Sequence, residues 1–242
     1  MKKIAILAML AFFDVSAVFY SQHGQDKFVA EFFNYKPNGT FIEVGSSDGI
    51  TQNNTYFFEK ELGWQGICIE PIPHFFELLK KNRSAICING CLAATEGFAN
   101  FVVVEGLMGG DNDQDTRVTH LSGLEGKFGS FAQNRIDSVV EAGRAEKKVI
   151  QVPCFLFNTV VAQNNMPIID YMSIDTEGSE LEILSSIDFD TVTIRLIGVE
   201  NLTHLNKENS GNQIRELLVS KGYRFIKRLG GDEFYAKMGV NS

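Results

Sequence analysis

Histidine, cysteine and tryptophan are scarce in this chain of 242 residues, which holds four His, four Cys and one Trp. The His residues are scattered, and no Cys-x-x-Cys spacing occurs, so Cys87 and Cys91 lack the further ligands that a zinc site requires. An Asp-x-Asp-x-Asp run at 111–115 lacks the glycine of a calcium loop, because Thr116 follows it. The sequence therefore predicts no metal site.

Clustered basic residues are missing as well. The chain has 22 Lys and Arg against 30 Asp and Glu, a formal net charge of −8, and its basic residues adjoin only in short pairs such as Lys80-Lys81 and Lys147-Lys148. Binding to nucleic-acid phosphates needs a concentrated basic surface. The composition therefore argues against nucleic acid as a partner or substrate.

Long apolar runs are also absent, apart from ten residues at the N-terminus. Lys2 and Lys3 precede the apolar segment Ile4 to Phe13, and Val15-Ser16-Ala17 follows as a candidate cleavage site. The run is short for a membrane span, and its layout is typical of a secretory signal peptide. We predict a signal peptide or anchor at residues 1–19, which would be the only membrane contact. The alternative is a helix or strand packed on the domain, in which case the protein would be cytoplasmic rather than exported or membrane-associated.

What the chain does contain is a regular alternation of strand-like and helix-like segments. At 242 residues with 44% hydrophobic content, one domain with a sizeable core is expected. The order is βαβαβ, an insertion at about 105–147, βαβαβ, and a terminal hairpin. This order predicts an α/β fold, with a mainly parallel sheet covered by helices on both faces. The insertion is predicted to be a lid or a substrate-binding segment. The predicted strands lie at 40–44, 66–70, 85–89, 98–104, 149–155, 168–175, 193–200, 223–227 and 233–237.

A glycine turn follows the first strand. Phe41 to Gly49 predicts a short strand that ends in a Gly-x-x-x-Gly turn, and a helix-like segment at 54–62 leads to a second strand that ends on Glu70. Glu70 falls about 25 residues after Gly45, near the roughly 20 of nucleotide-binding βαβ units. Glycine lets the backbone approach a ligand, and a carboxylate in this place can accept hydrogen bonds from both hydroxyls of a ribose. The alternative is a strand–turn–helix without a ligand.

The turn itself disfavours a dinucleotide. Ser47 stands where a pyrophosphate would need glycine, and Asp48 in the turn would repel a diphosphate. S-adenosylmethionine suits the turn better, because it carries a ribose, a sulfonium and an ammonium but no phosphate. Glu43 and Asp48 could face those positive charges. An NAD-dependent oxidoreductase remains as a weaker alternative.

Acids end several of the predicted strands. Glu43 and Asp48 flank the end of the first strand, and Glu70, Asp175 and Glu200 each end a later apolar run. Ligands of parallel sheets bind beyond the carboxyl ends of the strands. These acids are therefore expected to converge on one site.

Four separated segments resemble the FkbM family of S-adenosylmethionine-dependent methyltransferases. They are residues 21–26, residues 41–49 with 53–55, residues 63–71, and residues 173–180, which contain an Asp-x-Glu-Gly-x-Glu run at 175–180. The resemblance spans about residues 20 to 237, and we assign 20–242 to this domain. It implies a Rossmann-like class I methyltransferase fold with a seven-stranded sheet whose last strand is antiparallel. It also implies an enzyme that transfers a methyl group, most often to a hydroxyl oxygen, with S-adenosylmethionine as the cofactor.

The resemblance also implies roles for individual residues. Glu70 would bind the ribose, while the other cofactor contacts fall in two groups. The methionine end would be held by Glu43, Gly45, Ser46, Asp48 and Gly49, and the adenine would be bordered by Asn89, Cys91 and Leu92.

A proton acceptor is expected among four residues. Asp175 is the first candidate, followed by Glu177, Glu200 and His120, because a carboxylate or an imidazole can take the proton of a hydroxyl. The alternative for Asp175 is an acid that caps a helix or braces a loop. The methyl acceptor is predicted to be a hydroxyl of a small molecule or a glycan, and the oligomeric state is left open. The alternative function is a non-catalytic Rossmann-like binding module of an exported or membrane-associated protein.

Overall fold

The computed structural model describes residues 18–106, 119–202 and 213–239. The predicted leader up to residue 17 and the polar run at 111–115 lie outside these residues. No helix in the described ranges is long and apolar enough to cross a membrane.

The described residues form strands and helices in close alternation. The strands are β1 (Thr40–Val44), β2 (Gln65–Glu70), β3 (Ile86–Asn89), β4 (Cys91–Leu92), β5 (Gly97–Gly106), β6 (Gly123–Leu124), β7 (Ala145–Phe155), β8 (Ile168–Ile174), β9 (Thr193–Glu200), β10 (Tyr223–Leu229) and β11 (Asp232–Lys237). The α-helices are α1 (Gln25–Phe32), α2 (Tyr56–Leu62), α3 (Pro73–Asn82), α4 (Ser130–Glu141), α5 (Phe157–Gln163), α6 (Glu180–Ser186) and α7 (Gln213–Ser220), and a 3-10 helix spans Thr119–Leu121.

Seven strands form the main sheet, in the order β10-β11-β9-β8-β1-β2-β3. The five strands β9, β8, β1, β2 and β3 are parallel to one another, and β11 runs antiparallel to both β9 and β10. The predicted fold class, a mainly parallel sheet with a C-terminal antiparallel hairpin, is confirmed. This order brings the carboxyl ends of β1, β2, β8 and β9 to one edge.

Helices bury apolar side chains on both faces of this sheet. On one face α1 and α2 pack around Phe57, Phe58 and Trp64, which are all at most 2% exposed. On the other face α5, α6 and α7 cover the aliphatic side chains of β1, β2, β8 and β9. Because both faces are covered, these strands carry continuous apolar runs, the pattern typical of a buried parallel sheet.

A second, four-stranded sheet differs from the prediction. The sequence order placed the strand at 149–155 in the main sheet, but it begins at Ala145 and belongs to a separate sheet of order β4-β7-β5-β6. β7 pairs antiparallel with β5 from Gly97↔Cys154 to Gly106↔Ala145. That assignment was wrong because the local pattern of a strand does not specify which strand it pairs with. The described part of the insertion also contains β6, α4 and the 3-10 helix.

Candidate active site

One cavity of about 870 Å³ opens at the carboxyl ends of β1, β2, β8 and β9. It is the place where the sheet topology predicts a ligand. All of the residues predicted for the site line this cavity except Gly49 and Asn89. Those that line it are Glu43, Gly45, Ser46, Asp48, Glu70, Cys91, Leu92, His120, Asp175, Glu177 and Glu200.

The glycine turn after β1 is shaped by close contact with β8. Gly45 has φ +87°, and a Cβ built on it would lie 2.0 Å from the backbone oxygen of Asp175. Only glycine fits this backbone and this contact. Ser47, which follows in the same turn, also has a positive φ of 50°. The turn therefore brings β1 and β8 together at the floor of the cavity.

Glu70 lies at the end of β2 and is held by backbone donors. The N–H groups of Ser47 and Ile72 donate to its two carboxylate oxygens at 2.8 Å each. Burial raises the pKa of Glu70 to about 7, although these two hydrogen bonds oppose the shift. The carboxyl group is thus fixed in orientation, 4% exposed, and open to the cavity.

Glu43 is held by residues of the protein itself. Its carboxylate accepts hydrogen bonds from Asn53 Nδ2 at 2.7 Å, Asn54 N at 2.9 Å and Thr55 Oγ1 at 2.9 Å. Arg83 contacts the same carboxylate at 3.4 Å. Burial raises the pKa of Glu43, and the Arg83 charge and these hydrogen bonds oppose that rise. The carboxylate is therefore engaged with its own loop, although the residue lines the cavity.

Three further predicted residues have structural partners in the same region. Asp48 accepts hydrogen bonds from the N–H groups of Ile50 and Thr51 at 2.9 and 2.8 Å, which closes the turn. Gly49, outside the cavity lining, packs so closely that an added Cβ would lie 2.8 Å from Arg83. Asn89 donates to the backbone oxygen of Glu70 at 2.9 Å, so it braces the end of β2 from outside the cavity. Their roles toward a cofactor stay predictions.

Asn54 supplies a buried acceptor for which the described structure provides no donor. It lines the cavity, its Nδ2 donates to Ser173 Oγ at 3.1 Å, and its Oδ1 has no hydrogen-bond partner among the described residues. A buried acceptor without a donor is unfavourable unless a ligand supplies one. The ammonium of S-adenosylmethionine is such a donor, and Glu70 can take the ribose. The residues present therefore fit this cofactor.

Several carboxylates lie close together in the part of the cavity near the ends of β8 and β9. Oxygen atoms of Asp175, Glu177 and Glu200 all lie within 4.8 Å of one another. Asp175 is exposed to the cavity, and the desolvation that the cavity walls impose, together with the charges of Asp232 and Glu180, raises its pKa to about 8. Burial and the neighbouring acids also raise the pKa values of Glu177 and Glu200 well above the usual range.

Among the described residues, the close spacing of these three carboxylates would also suit a bound cation. A hydrogen bond between Asp175 and Glu200 offers another way to reduce the repulsion, because two carboxyl groups can share a proton. The prediction that the protein binds no metal stays a prediction.

Another acid of the 175–180 run has a different task. Glu180 accepts hydrogen bonds from Thr176 N at 2.8 Å and from Gly178 N at 3.0 Å, so it fixes the turn that carries Glu177. A Cβ on Gly178 would lie 2.2 Å from the backbone oxygen of Lys127, which explains the glycine. Glu180 therefore braces this loop, and the two roles considered for Asp175, a base or a bracing acid, both stay predictions.

The insertion contributes a wall of the cavity. His120, in the 3-10 helix, contacts Arg135 of α4 at 3.5 Å, and both line the cavity. Arg135, Asp232 and His23 were not foreseen in the site. The first two lie in segments without a recognised motif, whereas His23 falls within the run at 21–26 that resembles the family's opening motif.

The fold and cavity define the class of the protein: it is an α/β protein with the class I methyltransferase fold. A family model described as the methyltransferase FkbM domain matches residues 43–225. The chain belongs to the FkbM methyltransferase family and is an enzyme, which disfavours the non-catalytic alternative. Membership implies a methyl donor. A search of curated proteins found no significant match.

Solved structures with a similar fold were also found. A precorrin-6y C5,15-methyltransferase from Geobacter metallireducens is 9% identical, with coverage of 87% of this chain and 84% of that one and a TM-score of 0.42. A methyltransferase from Pyrococcus furiosus is 11% identical, with coverage of 93% and 88% and a TM-score of 0.38. A human methyltransferase 10 domain containing protein is 9% identical, with coverage of 92% and 85% and a TM-score of 0.40.

Proposed function

We propose that this methyltransferase takes its methyl group from S-adenosylmethionine and transfers it to a hydroxyl oxygen of a small molecule or glycan. One observation carries the proposal. The same cavity holds a ribose-type acceptor, Glu70, and a group of carboxylates with raised pKa values around Asp175. The part of the cavity near Glu70 suits the methyl donor, and the part near Asp175 suits a methyl acceptor that must lose a proton.

The donor half offers partners for each polar part of the cofactor. The fixed carboxylate of Glu70 can accept both ribose hydroxyls, and Asn54 Oδ1 can accept from the ammonium. Cys91 and Leu92, both at most 7% exposed, give an apolar border for the adenine. The bound cofactor supplies an electrophilic methyl group.

The acceptor half of the cavity supplies the base that takes the proton of the hydroxyl. As the new O–C bond forms and the C–S bond breaks, the acceptor hydroxyl must release its proton to a base. A base works best when its pKa is close to the operating pH, and the pKa of about 8 at Asp175 meets this condition. Glu177 and Glu200 contact the same space, and hydroxyl-rich acceptors such as sugars can donate to them.

Direct binding and transfer measurements test the proposal. Calorimetric titration of the protein with S-adenosylmethionine is expected to show one site. Incubation with methyl-labelled cofactor and a panel of hydroxylated small molecules and glycans is expected to label an acceptor as an ether. Absence of cofactor binding would refute the proposed donor, and labelling confined to nitrogen or carbon would refute the hydroxyl acceptor.

A further inference from the structure

Arg83 lies behind the glycine turn and is fully enclosed. It follows α3 directly, and its side chain is 0% exposed. Arginine is rarely buried unless its charge and its N–H groups are paired. Its surroundings therefore indicate a specific task.

The guanidinium of Arg83 contacts the loop that carries the cofactor residues at three points and β1 at a fourth. It donates to Gly49 O at 3.2 Å, Asn53 Oδ1 at 3.0 Å and Thr55 Oγ1 at 2.9 Å, and it pairs with Glu43 Oε2 at 3.4 Å. These partners span both ends of the segment between the turn and α2. One side chain therefore ties this whole segment together.

Further contacts hold the guanidinium itself in place. Its Nε donates to Glu59 Oε2 at 2.8 Å. Its central carbon lies 5.3 Å from the ring centre of Phe41 and 5.7 Å from that of Tyr56, so it makes cation–π contacts with both. Because two acids and two rings fix its orientation, the guanidinium can fix the loop in turn.

The contacts continue from Arg83 to the buried, unpaired acceptor of Asn54, a residue that lines the cavity. Arg83 holds Glu43, whose other carboxylate oxygen accepts from Asn54 N at 2.9 Å. Asn54 carries the Oδ1 that has no partner among the described residues. Burial raises the pKa of Glu43, and the positive charge of Arg83 opposes that rise.

The geometry points to Arg83 as a positioning residue for the methyl donor: through Glu43, it holds residues 45–55 in the shape that receives S-adenosylmethionine. The inference rests on the proposed function. It assigns Glu43 an indirect role, because the Glu43 carboxylate is engaged with Asn53, Asn54, Thr55 and Arg83.

Two variants of the full chain and a matched control test this role. Arg83→Met removes the charge and all donors, whereas Arg83→Lys keeps the charge but loses the forked geometry. Lys36→Met is the control, because Lys36 pairs at 2.8 Å with Asp170, another buried acid, at the amino end of β8 and away from the cavity.

The readouts are calorimetric affinity for S-adenosylmethionine and hydrogen exchange of the ligand-free protein, at a temperature where all variants are folded. We expect at least tenfold weaker binding for Arg83→Met, an intermediate loss for Arg83→Lys, and a change below twofold for Lys36→Met. Amides at 45–55 should exchange faster in Arg83→Met and at the wild-type rate in Lys36→Met.

Two results would overturn the inference. One is wild-type affinity together with wild-type loop exchange in Arg83→Met, and the other is an equal loss of affinity in Arg83→Met and Lys36→Met. If the wild-type protein binds no S-adenosylmethionine, the proposed function fails separately. The loop exchange of ligand-free Arg83→Met then still decides whether Arg83 orders the loop.

Discussion

Replacing Glu70 by Gln should weaken the binding of S-adenosylmethionine and remove part of its pH dependence. The carboxylate of Glu70 is fixed by two backbone N–H groups at 2.8 Å, and it is the group proposed to accept the ribose hydroxyls. Loss of a hydrogen bond to a charged group corresponds to roughly 1.5–3 kcal/mol. Gln is a better probe than Ala, because its amide oxygen can still accept from one of the N–H groups of Ser47 and Ile72, whereas Ala would leave both unpaired.

The pH dependence follows from the raised pKa. With a pKa of about 7, Glu70 is largely protonated in the free protein at pH 6 and largely ionised at pH 8. If binding requires the ionised form, affinity should rise about tenfold from pH 6 to pH 8, because one unit below the pKa only about a tenth is ionised.

Calorimetric titration of wild type and Glu70→Gln at both pH values measures this effect. The wild-type affinity should rise with pH, and the affinity of Glu70→Gln should rise clearly less. Glu216→Gln, an exposed residue of α7 outside the cavity, is the matched control and should follow the wild type. Equal pH dependence in wild type and Glu70→Gln would show that Glu70 does not control binding.

Other changes have equally definite expected outcomes. Asp175→Asn should reduce methyl transfer by about 10²–10⁴-fold and leave the cofactor affinity unchanged. Steady-state rates and calorimetric titration measure the two effects, and a fully active variant would exclude Asp175 as the base. Wild-type turnover should rise with pH toward the pKa of about 8, because only ionised Asp175 accepts a proton, and a flat profile would contradict this role. Gly45→Ala should abolish cofactor binding and destabilise the fold by more than about 1 kcal/mol, because the added Cβ would lie 2.0 Å from a backbone oxygen. Denaturant unfolding measures the change in stability, and wild-type stability would contradict this packing. Treatment with a chelator should leave turnover unchanged. Loss of turnover that only Mg²⁺ restores would instead identify the carboxylates of Asp175, Glu177 and Glu200 as a metal site.

The sequence predicted those parts of the fold that depend on local patterns. β1, β2, β8 and β9 were recognisable because each is an apolar run that stops at a turn or an acid, and their parallel pairing brought Glu70 and Asp175 to one edge. The pairing of β5 with β7 was not predictable in the same way, because it joins strands separated by the insertion.

Arg83 shows most clearly what the sequence did not reveal. It follows Lys80, Lys81 and Asn82 at the end of a helix, a position typical of solvent-exposed charge. Its burial depends on Glu43 and Glu59, which come from β1 and α2. No local pattern encodes such a meeting of three distant residues.

The second sheet and the insertion give the cavity a wall that is separate along the chain from Glu70 and Asp175. Phe101, His120, Leu124, Phe131 and Arg135, which line one wall, all fall within one continuous stretch, 97–155. Gly45, Glu70, Asp175 and Glu200 lie outside it. A change confined to this stretch would therefore alter the shape of the cavity and leave Glu70 and Asp175 in place. Exchange of 97–155 between family members is expected to transfer acceptor preference, and retention of the parent's preference in such a chimaera would show that the main sheet determines it.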